Sequence, residues 1–448
     1  MTQGARVEGR ARGQGTPGPV PRACRGRGSR ARWLSLFLAG SAGSLGAQVN
    51  LPSLPPPPEA MRDLPRLAWR QSLVLRGAAR GYAVDERRGS DASIAERAGG
   101  ITYLLRGARL AFRTDVTPVV YGATLGGGST TQLAGITPVQ MRLDWRWRDG
   151  DTTRFYVRSG TRPIALDTAQ SQALGAAGTS TLDLDAMAFG AQPMAGVRHA
   201  VRVSLGDANS LSFRTAAEVS PRPGGVDFTY WTGTTLRGGV AWQRLLGAAA
   251  SARVSADVSR SFAGDLDGRN LFPGGGNLVL DARTSGLLDG EDGRWFGAVQ
   301  GFWSRPFANP NADNLARLIP QGQFGGVQAL LTAEVGSLSI GPTASLLRES
   351  SAADARFLIA APNGGRPVSN TVRKEGSGWS VAGGLTATWE VVEAVDLTLD
   401  AALTRGGVDL RQREELRAPG GRPISAIETR RENTISGGWV ALEVTLRW

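Results

Sequence analysis

Polar and apolar residues alternate with a period of two along most of the chain after Leu67. In residues 141–148, for example, four apolar side chains would share one face of a strand and four charged side chains the other. This period is that of a β-strand, because successive side chains point to opposite faces of a sheet. Helical periodicity is hard to find in the same region. The sequence therefore predicts an all-β chain from residue 66 onward.

The alternation predicts sixteen strands, with boundaries at the ranges that follow. They are 67–79, 101–113, 116–126, 137–148, 152–161, 197–206, 210–219, 234–246, 249–262, 277–287, 294–305, 323–335, 338–348, 378–392, 396–405 and 437–448. Several have about the 9 to 11 residues that a tilted strand needs to cross a bilayer. No uninterrupted apolar stretch reaches the roughly 18 residues that a transmembrane helix requires.

The predicted connections alternate between short and long. The short turns are expected at 114–115, 149–151, 207–209, 247–248, 288–293, 336–337 and 393–395. The longest connections between them are 162–196, 349–377 and 406–436. Short turns on one rim, long loops on the other and an even strand count are typical of bacterial outer-membrane barrels. We therefore predict a transmembrane antiparallel β-barrel of about sixteen strands, within a range of 14 to 18.

The first 65 residues are predicted to precede the barrel. Residues 1–47 combine a basic flank, a short apolar run from Trp33 and small residues ending at Ala47, which is the layout of a secretory signal peptide. Residues 48–65 are rich in proline and indicate an extended tail. Residues 66–448 would then form the barrel.

Composition excludes several classes of function. The net charge is +12, but eight arginines and one glutamate in residues 1–48 account for seven of these charges, so a nucleic-acid partner is not expected. Cys24 and His199 are the only cysteine and histidine. Most metal sites and most thiol or histidine catalysis are therefore excluded, and we expect no metal and no cofactor.

The last strand carries the clearest resemblance to a known family. One face of it is apolar and is formed by Val440, Leu442, Val444, Leu446 and Trp448. The chain stops on an aromatic residue, which resembles the C-terminal strand by which bacterial outer-membrane barrels are recognised for assembly. The resemblance implies that Trp448 is an assembly signal and that the barrel-assembly machinery is a partner.

Tryptophans are expected to mark the two membrane interfaces, where their amphipathic rings are enriched. Trp145, Trp147, Trp295, Trp389 and Trp448 are predicted near the short-turn rim. Trp379 and Trp303 are predicted near the other rim. The apolar face of each strand would then meet outer-membrane lipid.

The opposite face is predicted to line an aqueous lumen rich in arginine. With a three-residue turn at 149–151, Arg146 would pair with Arg154 and Arg142 with Arg158. With a similar turn at 207–209, Arg202 would pair with Arg214 and Arg198 with Glu218. Inward-facing acids would lie approximately across the ring. The predicted pore-lining residues are Arg142, Arg146, Arg154, Arg158, Arg198, Arg202, Arg214, Glu334, Glu390 and Asp400.

The long connection 162–196 is a candidate for a constriction loop, and its charges are Asp167, Asp183 and Asp185. This resembles the general porins, in which the third long loop folds into the barrel and places acidic groups opposite an arginine cluster. The resemblance implies a porin-like channel in the bacterial outer membrane that lets small hydrophilic solutes diffuse passively. The arginines favour anionic solutes, and a homo-oligomer is possible.

Two other functions remain open from the sequence. The barrel could have a surface-binding or structural role, carried by its long loops. An outer-membrane enzyme is the other alternative, since His199 has the parity of a lipid-facing residue near the long-loop rim. The phospholipase barrels of that membrane would have a serine at the position of Val201, so we expect no enzyme.

Overall fold

A computed structural model describes most of the chain after residue 69. The described residues are 70–86, 91–124, 130–148, 151–160, 182, 184, 193–220, 233–247, 249–262, 274–290, 293–308, 317, 321–359, 367–419 and 421–448. The predicted signal peptide and proline-rich tail lie outside them. Within these residues no helix has the length and apolar character needed to cross a membrane.

The described residues form eighteen strands. They are β1 (Arg70–Glu86), β2 (Ala92–Arg106), β3 (Leu110–Val116), β4 (Pro118–Thr124), β5 (Thr130–Ile136), β6 (Gln140–Arg148), β7 (Asp151–Arg158), β8 (Met194–Ser204), β9 (Asn209–Val219), β10 (Thr234–Leu246), β11 (Ala250–Phe262), β12 (Gly274–Gly290), β13 (Gly293–Ala308), β14 (Gln321–Val335), β15 (Leu338–Ile359), β16 (Val368–Val392), β17 (Val395–Arg417) and β18 (Pro423–Arg447).

Sixteen of these strands close into one antiparallel ring. The order is β1, β2, β3, β6 and then every strand from β7 to β18, which pairs back to β1. The predicted fold class, an all-β transmembrane barrel of about sixteen strands, is confirmed. Closure leaves the ring without an edge strand, so all of its ladders are paired.

The two remaining strands, β4 and β5, extend the ring on the long-loop side. β4 continues along β2 directly after β3, and β5 pairs with β4. Asp115 of β3 pairs with Gln140 of β6, whereas Pro118 of β4 pairs with Ile136 of β5. The interruption falls beside Pro118, which lacks the backbone N–H that a continuous ladder needs.

The predicted turn at 114–115 is wrong, because both residues lie inside β3 and the chain turns at 107–109. The predicted strand 101–113 also begins too late, because β2 spans Ala92–Arg106 and includes Gly99 and Gly100. The structure places both inside β2, where a Cβ on Gly100 would lie 3.2 Å from Cβ of Arg76. These glycines allow close packing within a strand.

The predicted long loops 349–377 and 406–436 are also wrong. Strands β15 and β16 continue to residue 359 and from residue 368, and β17 and β18 continue to residue 417 and from residue 423. Their outer halves rise beyond the membrane, where the outward face is polar as well. The apolar–polar alternation therefore disappears while the hydrogen-bonded ladder continues.

The outward face carries the apolar belt that a transmembrane barrel requires. On β16, Trp379 and Trp389 are 44% and 47% exposed and bound a run of outward apolar and small residues. Ten residues of a strand tilted by about 40° rise about 25 Å, which is the height of the apolar band in such barrels. Trp389 donates a hydrogen bond to Ser337 in a short turn, as expected for an interfacial ring.

Closure of the barrel uses the end of the chain. The backbones of Gln71 and Trp448 exchange hydrogen bonds of 2.9 and 3.1 Å, and the Trp448 indole donates to the Gln71 side chain at 3.1 Å. Tyr103 of β2 donates to the same side-chain oxygen at 3.0 Å. The terminal residue thus links β18, β1 and β2 at the short-turn rim.

Deletion of Trp448 is expected to reduce the amount of folded barrel in the membrane, because it removes the contacts with Gln71 and the predicted assembly signal. The measurement is the fraction of chain that resists protease after membrane isolation. Deletion of the exposed residue Leu358, outside the closing pair, is the control. Normal levels of folded barrel without Trp448 would contradict this role.

The topology is testable with two cysteine variants in a Cys24→Ser background. Asp207 lies in a short turn and Glu428 in the outer half of β18. Glu428→Cys should react with an impermeant maleimide on intact cells, and Asp207→Cys should react only after permeabilisation. Equal labelling of both variants would contradict the assignment of the two rims.

Candidate functional site

The lumenal wall is the candidate site, because the barrel turns its charged faces inward. On β6 and β7, the apolar residues Leu143 and Phe155 are exposed on the outer face, so the even-numbered residues of β6 and β7 point to the lumen. The same parity argument places all ten predicted pore-lining residues on the lumenal face.

The predicted register of the β6–β7 hairpin is wrong by two residues. Arg154 pairs with Asp144 rather than with Arg146, and Arg158 pairs with Gln140 rather than with Arg142. Arg148 pairs with Asp151, which leaves a two-residue connection and a bulge between Arg146 and Arg148. A register shift of two residues keeps every side chain on its face of the sheet but gives it a different partner on the neighbouring strand.

The β8–β9 hairpin shows the same shift. Arg202 pairs with Ser212, Arg214 with Ala200 and Arg198 with Ala216. Neither the predicted Arg202–Arg214 pair nor the predicted Arg198–Glu218 pair forms. The connection spans residues 205–208 rather than 207–209, so it begins two residues earlier and is one residue longer in total; the backbone N–H of Leu205 donates to the carbonyl of Asn209.

A row of arginines nevertheless crosses the lumenal wall. Its members are Arg113, Arg142, Arg154, Arg198, Arg214, Arg253 and Arg283. Three cross-strand pairs are like-charged: Arg113 with Arg142, Arg154 with Arg198, and Arg253 with Arg283. The row therefore extends from β3 to β12.

Sequence reasoning missed Arg113, Arg253 and Arg283. All three lie on predicted strands, and the same inward parity that identified the other arginines applied to them. The pairing of β11 with β12, which joins Arg253 to Arg283, required the register and could not be read from alternation alone.

Carboxylates neutralise part of the positive charge of this arginine row. Asp144 lies 2.6 Å from Arg154 and 3.2 Å from Arg142 and thus joins both. Asp115 lies 2.7 Å from Arg113. Two further pairs are Arg214–Asp257 at 2.7 Å and Arg237–Glu218 at 2.8 Å. Among the described residues, Arg198 and Arg253 form no direct ion pair with a carboxylate.

Two glycines make these contacts possible. A Cβ on Gly239 of β10 would collide with the carboxylate of Asp257, so its absence lets Asp257 reach across β10 to Arg214. A Cβ on Gly196 would collide with the ring of Tyr156. That ring lies over β8 and donates its hydroxyl to Glu218 at 2.5 Å.

The predicted acids Glu334, Glu390 and Asp400 lie on β14, β16 and β17, approximately across the ring from the arginines on β6 to β9. Glu334 lies 3.6 Å from Arg294 of β13. Glu390 pairs across the strands with Asp396, which in turn forms an ion pair with Arg447. The two walls thus differ in the sign of their predominant charges, although each contains compensating groups.

An apolar core fills part of the lumen on the long-loop side. Its wall residues come from β1, β2, β4, β5, β17 and β18. Leu182 and Leu184, from the connection between β7 and β8, are 4% and 5% exposed and belong to this core. These two residues of the predicted constriction loop therefore lie inside the barrel. Asp167, Asp183 and Asp185 lie outside the described residues.

A buried ion pair lies beside this core. Arg80 of β1 donates to Glu96 of β2 at 2.5 Å, and the two side chains are 6% and 0% exposed. The two residues pair across the strands, so the ladder holds the charges together. Desolvation of both groups makes the removal of either one costly.

His199 faces outward, as its parity predicted, but it is the middle residue of β8 rather than a residue near the loop rim. It pairs with Thr153, the third residue of β7 after the turn, and the Thr153 hydroxyl lies 2.9 Å from Nδ1 of His199. Trp147 donates to the same hydroxyl at 2.7 Å. In the described part of the chain, no group of three or more histidine, cysteine, aspartate or glutamate residues is placed to hold a metal.

Comparisons with known proteins find no relative by sequence and only distant likenesses by structure. No protein-family model and no curated protein matches the chain. Among solved structures, OccK7 (OpdD) of Pseudomonas aeruginosa shares 10% identity with a TM-score of 0.34, over 85% of this chain and 99% of that one. OccAB4 of Acinetobacter baumannii shares 9% identity with a TM-score of 0.30, over 86% and 99%. OmpTdeltaL8, an outer membrane protein of Vibrio cholerae, shares 7% identity with a TM-score of 0.29, over 84% and 99%. At these values the matches carry no inference about solute or activity.

The buried ion pair predicts an unequal response to two similar substitutions. Arg80→Met removes the cation next to Glu96 and is expected to lower the free energy of unfolding by about 3–5 kcal/mol. Arg373→Met removes an exposed pair with Asp354, whose side chains are 58% and 56% exposed, and should cost less than about 1 kcal/mol. Urea titration in lipid vesicles, followed by tryptophan fluorescence, gives both values. Equal losses would contradict the structural role of Arg80.

Proposed function

We propose that the chain is a porin-like channel of the bacterial outer membrane for passive diffusion of small hydrophilic solutes, with a preference for anions. The observation that carries this proposal is the row of lumenal arginines from β3 to β12. In this proposal the barrel acts without cofactor, metal or catalytic step.

The size of the barrel supports a conducting lumen. A ring of sixteen strands is wide enough to leave a water-filled channel, whereas a ring of eight is filled by its own side chains. Membrane orientation follows from the two rims, because short turns face the periplasm and long loops face outward in outer-membrane barrels. The outward apolar belt and the tryptophans at its edges support the same location.

The electrostatics of the row support the anion preference. Arg198 and Arg253 have no carboxylate in direct contact among the described residues, so their charge is available to a passing solute. Like-charged pairs such as Arg154–Arg198 are tolerable in a wet lumen, because water and visiting anions screen them. Asp144 and Asp257 neutralise their neighbours and reduce the preference locally.

The apolar core favours a second candidate function. Leu182 and Leu184 pack inside the barrel against side chains of β1, β2, β4, β5, β17 and β18, which fills part of the cross-section. A barrel filled in this way could serve a structural or surface-binding role without conducting. The charged outer halves of β16 to β18 would then be the binding surface.

Reconstitution in planar bilayers distinguishes the two candidates. We expect the wild-type protein to conduct ions. In a salt gradient, its reversal potential should have the sign of an anion-selective channel. In Arg198→Gln/Arg253→Gln, the reversal potential should move towards cation selectivity. A unit charge about 4 Å from an ion contributes about 1 kcal/mol even in water, so the local anion concentration should fall several-fold.

The control is Arg348→Gln, which changes an arginine on the outward face of β15 and should leave the reversal potential unchanged. An unchanged value in the double variant would mean that Arg198 and Arg253 do not line the conducting path. Absence of conductance in folded wild-type protein would support the structural or binding role and overturn the channel.

A further inference from the structure

Four arginines lie near the long-loop edge of the apolar belt, two of them followed by one further outward phenylalanine, Phe262 and Phe307. The arginines lie on the outward faces of β11, β13, β15 and β17, all of which run from the short-turn rim towards the long-loop rim. These residues are Arg260, Arg305, Arg348 and Arg405. The outward residue two positions before each is apolar: Val258, Trp303, Leu346 and Leu403. We call this set the outer arginine row.

The row lies at one level of the membrane. Arg260, Arg348 and Arg405 are each ten residues beyond the first residue of their strand, and Arg305 is twelve residues beyond Gly293. Ten tilted strand residues rise about 25 Å, the height of the apolar band. The four guanidinium groups therefore reach the headgroup region at the long-loop side. Alternate strands set them about 10 Å apart along the sheet.

No carboxylate of the described residues forms an ion pair with any of the four side chains. The guanidinium of Arg260 lies 5.6 Å from the centre of the Phe262 ring. In the described strands, the row thus presents four exposed cations, without compensation, directly beside an apolar surface.

Two outward arginines further from the membrane have carboxylate partners. Arg430 lies 2.9 Å from Asp409, and Arg373 lies 3.2 Å from Asp354. The hydrogen bond from Arg430 lowers the pKa of Asp409 below its ordinary value. These two outward cations are thus neutralised where they meet water, whereas none of the four arginines of the row has a carboxylate partner among the described residues.

The chemistry of the row fits a phosphate group on a membrane lipid. A guanidinium binds phosphate oxygens through two parallel hydrogen bonds, and its aliphatic stem can lie along an apolar surface. Above the row, the outward faces of β15 to β18 continue as a polar wall with residues such as Ser350 and Ser377. A tall sugar headgroup would lie beside this wall, whereas a phospholipid headgroup would end below it.

We propose that the outer arginine row binds the phosphate groups of lipopolysaccharide in the outer leaflet of the membrane. The inference depends on the outer-membrane orientation but not on conductance. It assigns the outward face a lipid-specific binding surface that is separate from the lumenal arginines.

The test uses the full chain extracted from membranes in mild detergent. Native mass spectrometry gives the amount of lipopolysaccharide retained per barrel. Changing all four arginines of the row to glutamine should lower that amount by roughly tenfold, since each cation near a membrane surface adds to the attraction of anionic lipid. Changing all four to lysine keeps the charge and should preserve part of the binding.

Arg244→Gln is the matched control, because Arg244 is an exposed outward arginine near the short-turn end of β10. It should retain the wild-type amount. Folding of each variant is checked by electrophoresis, in which a folded barrel migrates differently before and after heating. If the fourfold variant does not fold, Arg348→Gln/Arg405→Gln should show an intermediate loss.

A second arm identifies the lipid. Wild-type protein in vesicles should bind lipid A more tightly than dephosphorylated lipid A or phosphatidylglycerol. Equal retention of lipopolysaccharide by the wild type and the glutamine variants would overturn the proposal, as would equal binding of dephosphorylated lipid A. The conductance of the glutamine variants should be unchanged, so a failure of this proposal is distinguishable from a failure of the channel.

Discussion

The pairing of β1 with β18 is the interaction on which the whole structure depends. In hydrocarbon, a backbone N–H or C=O without a partner is costly, so a sheet can cross a membrane only when its two edges meet. Here the meeting strands share a register of fifteen residue pairs, from Ser72–Arg447 to Glu86–Asn433. Gln71 and Trp448 extend the contact to the end of the chain. Because closure satisfies the backbone hydrogen bonds, the side chains need only suit their surroundings. Those on the inner face meet water, and those on the outer face meet lipid.

This separation explains why one sequence carries two sets of arginines with different environments. The lumenal set faces water and shares carboxylates such as Asp144, which contacts Arg142 and Arg154 together. The outward set stands at the edge of the apolar belt without such partners among the described residues. Charge on the inner face can influence what passes, and charge on the outer face can influence what surrounds the barrel.

The sequence predicted the properties that depend on local alternation. From β6 onward, strand identity and the facing of each side chain follow from a period of two and alternating connection lengths, whereas the predicted strands 101–113 and 116–126 do not match β2, β3 and β4. The register does not follow from alternation, because a bulge after Arg146 and the exact length of a turn shift cross-strand pairs without changing the pattern. The outer halves of β15 to β18 were missed for a different reason, since their outward faces are mostly polar and lack the apolar residues of the membrane belt. Leu182 and Leu184 could not be placed in the lumen without the tertiary structure.

The two-residue shift at the β6–β7 hairpin has a consequence for how such barrels can diversify. A register shift of two residues keeps every lipid-facing residue outside, yet it gives each lumenal charge a new partner. In this chain that single change separates a wall where Arg154 opposes Arg146 from one where it opposes Asp144. Periplasmic turns are therefore positions where insertion or deletion can alter the charge pattern of the lumen at little cost to membrane insertion. Selection on which solutes pass through the lumen could therefore act on turns that do not contact the solute.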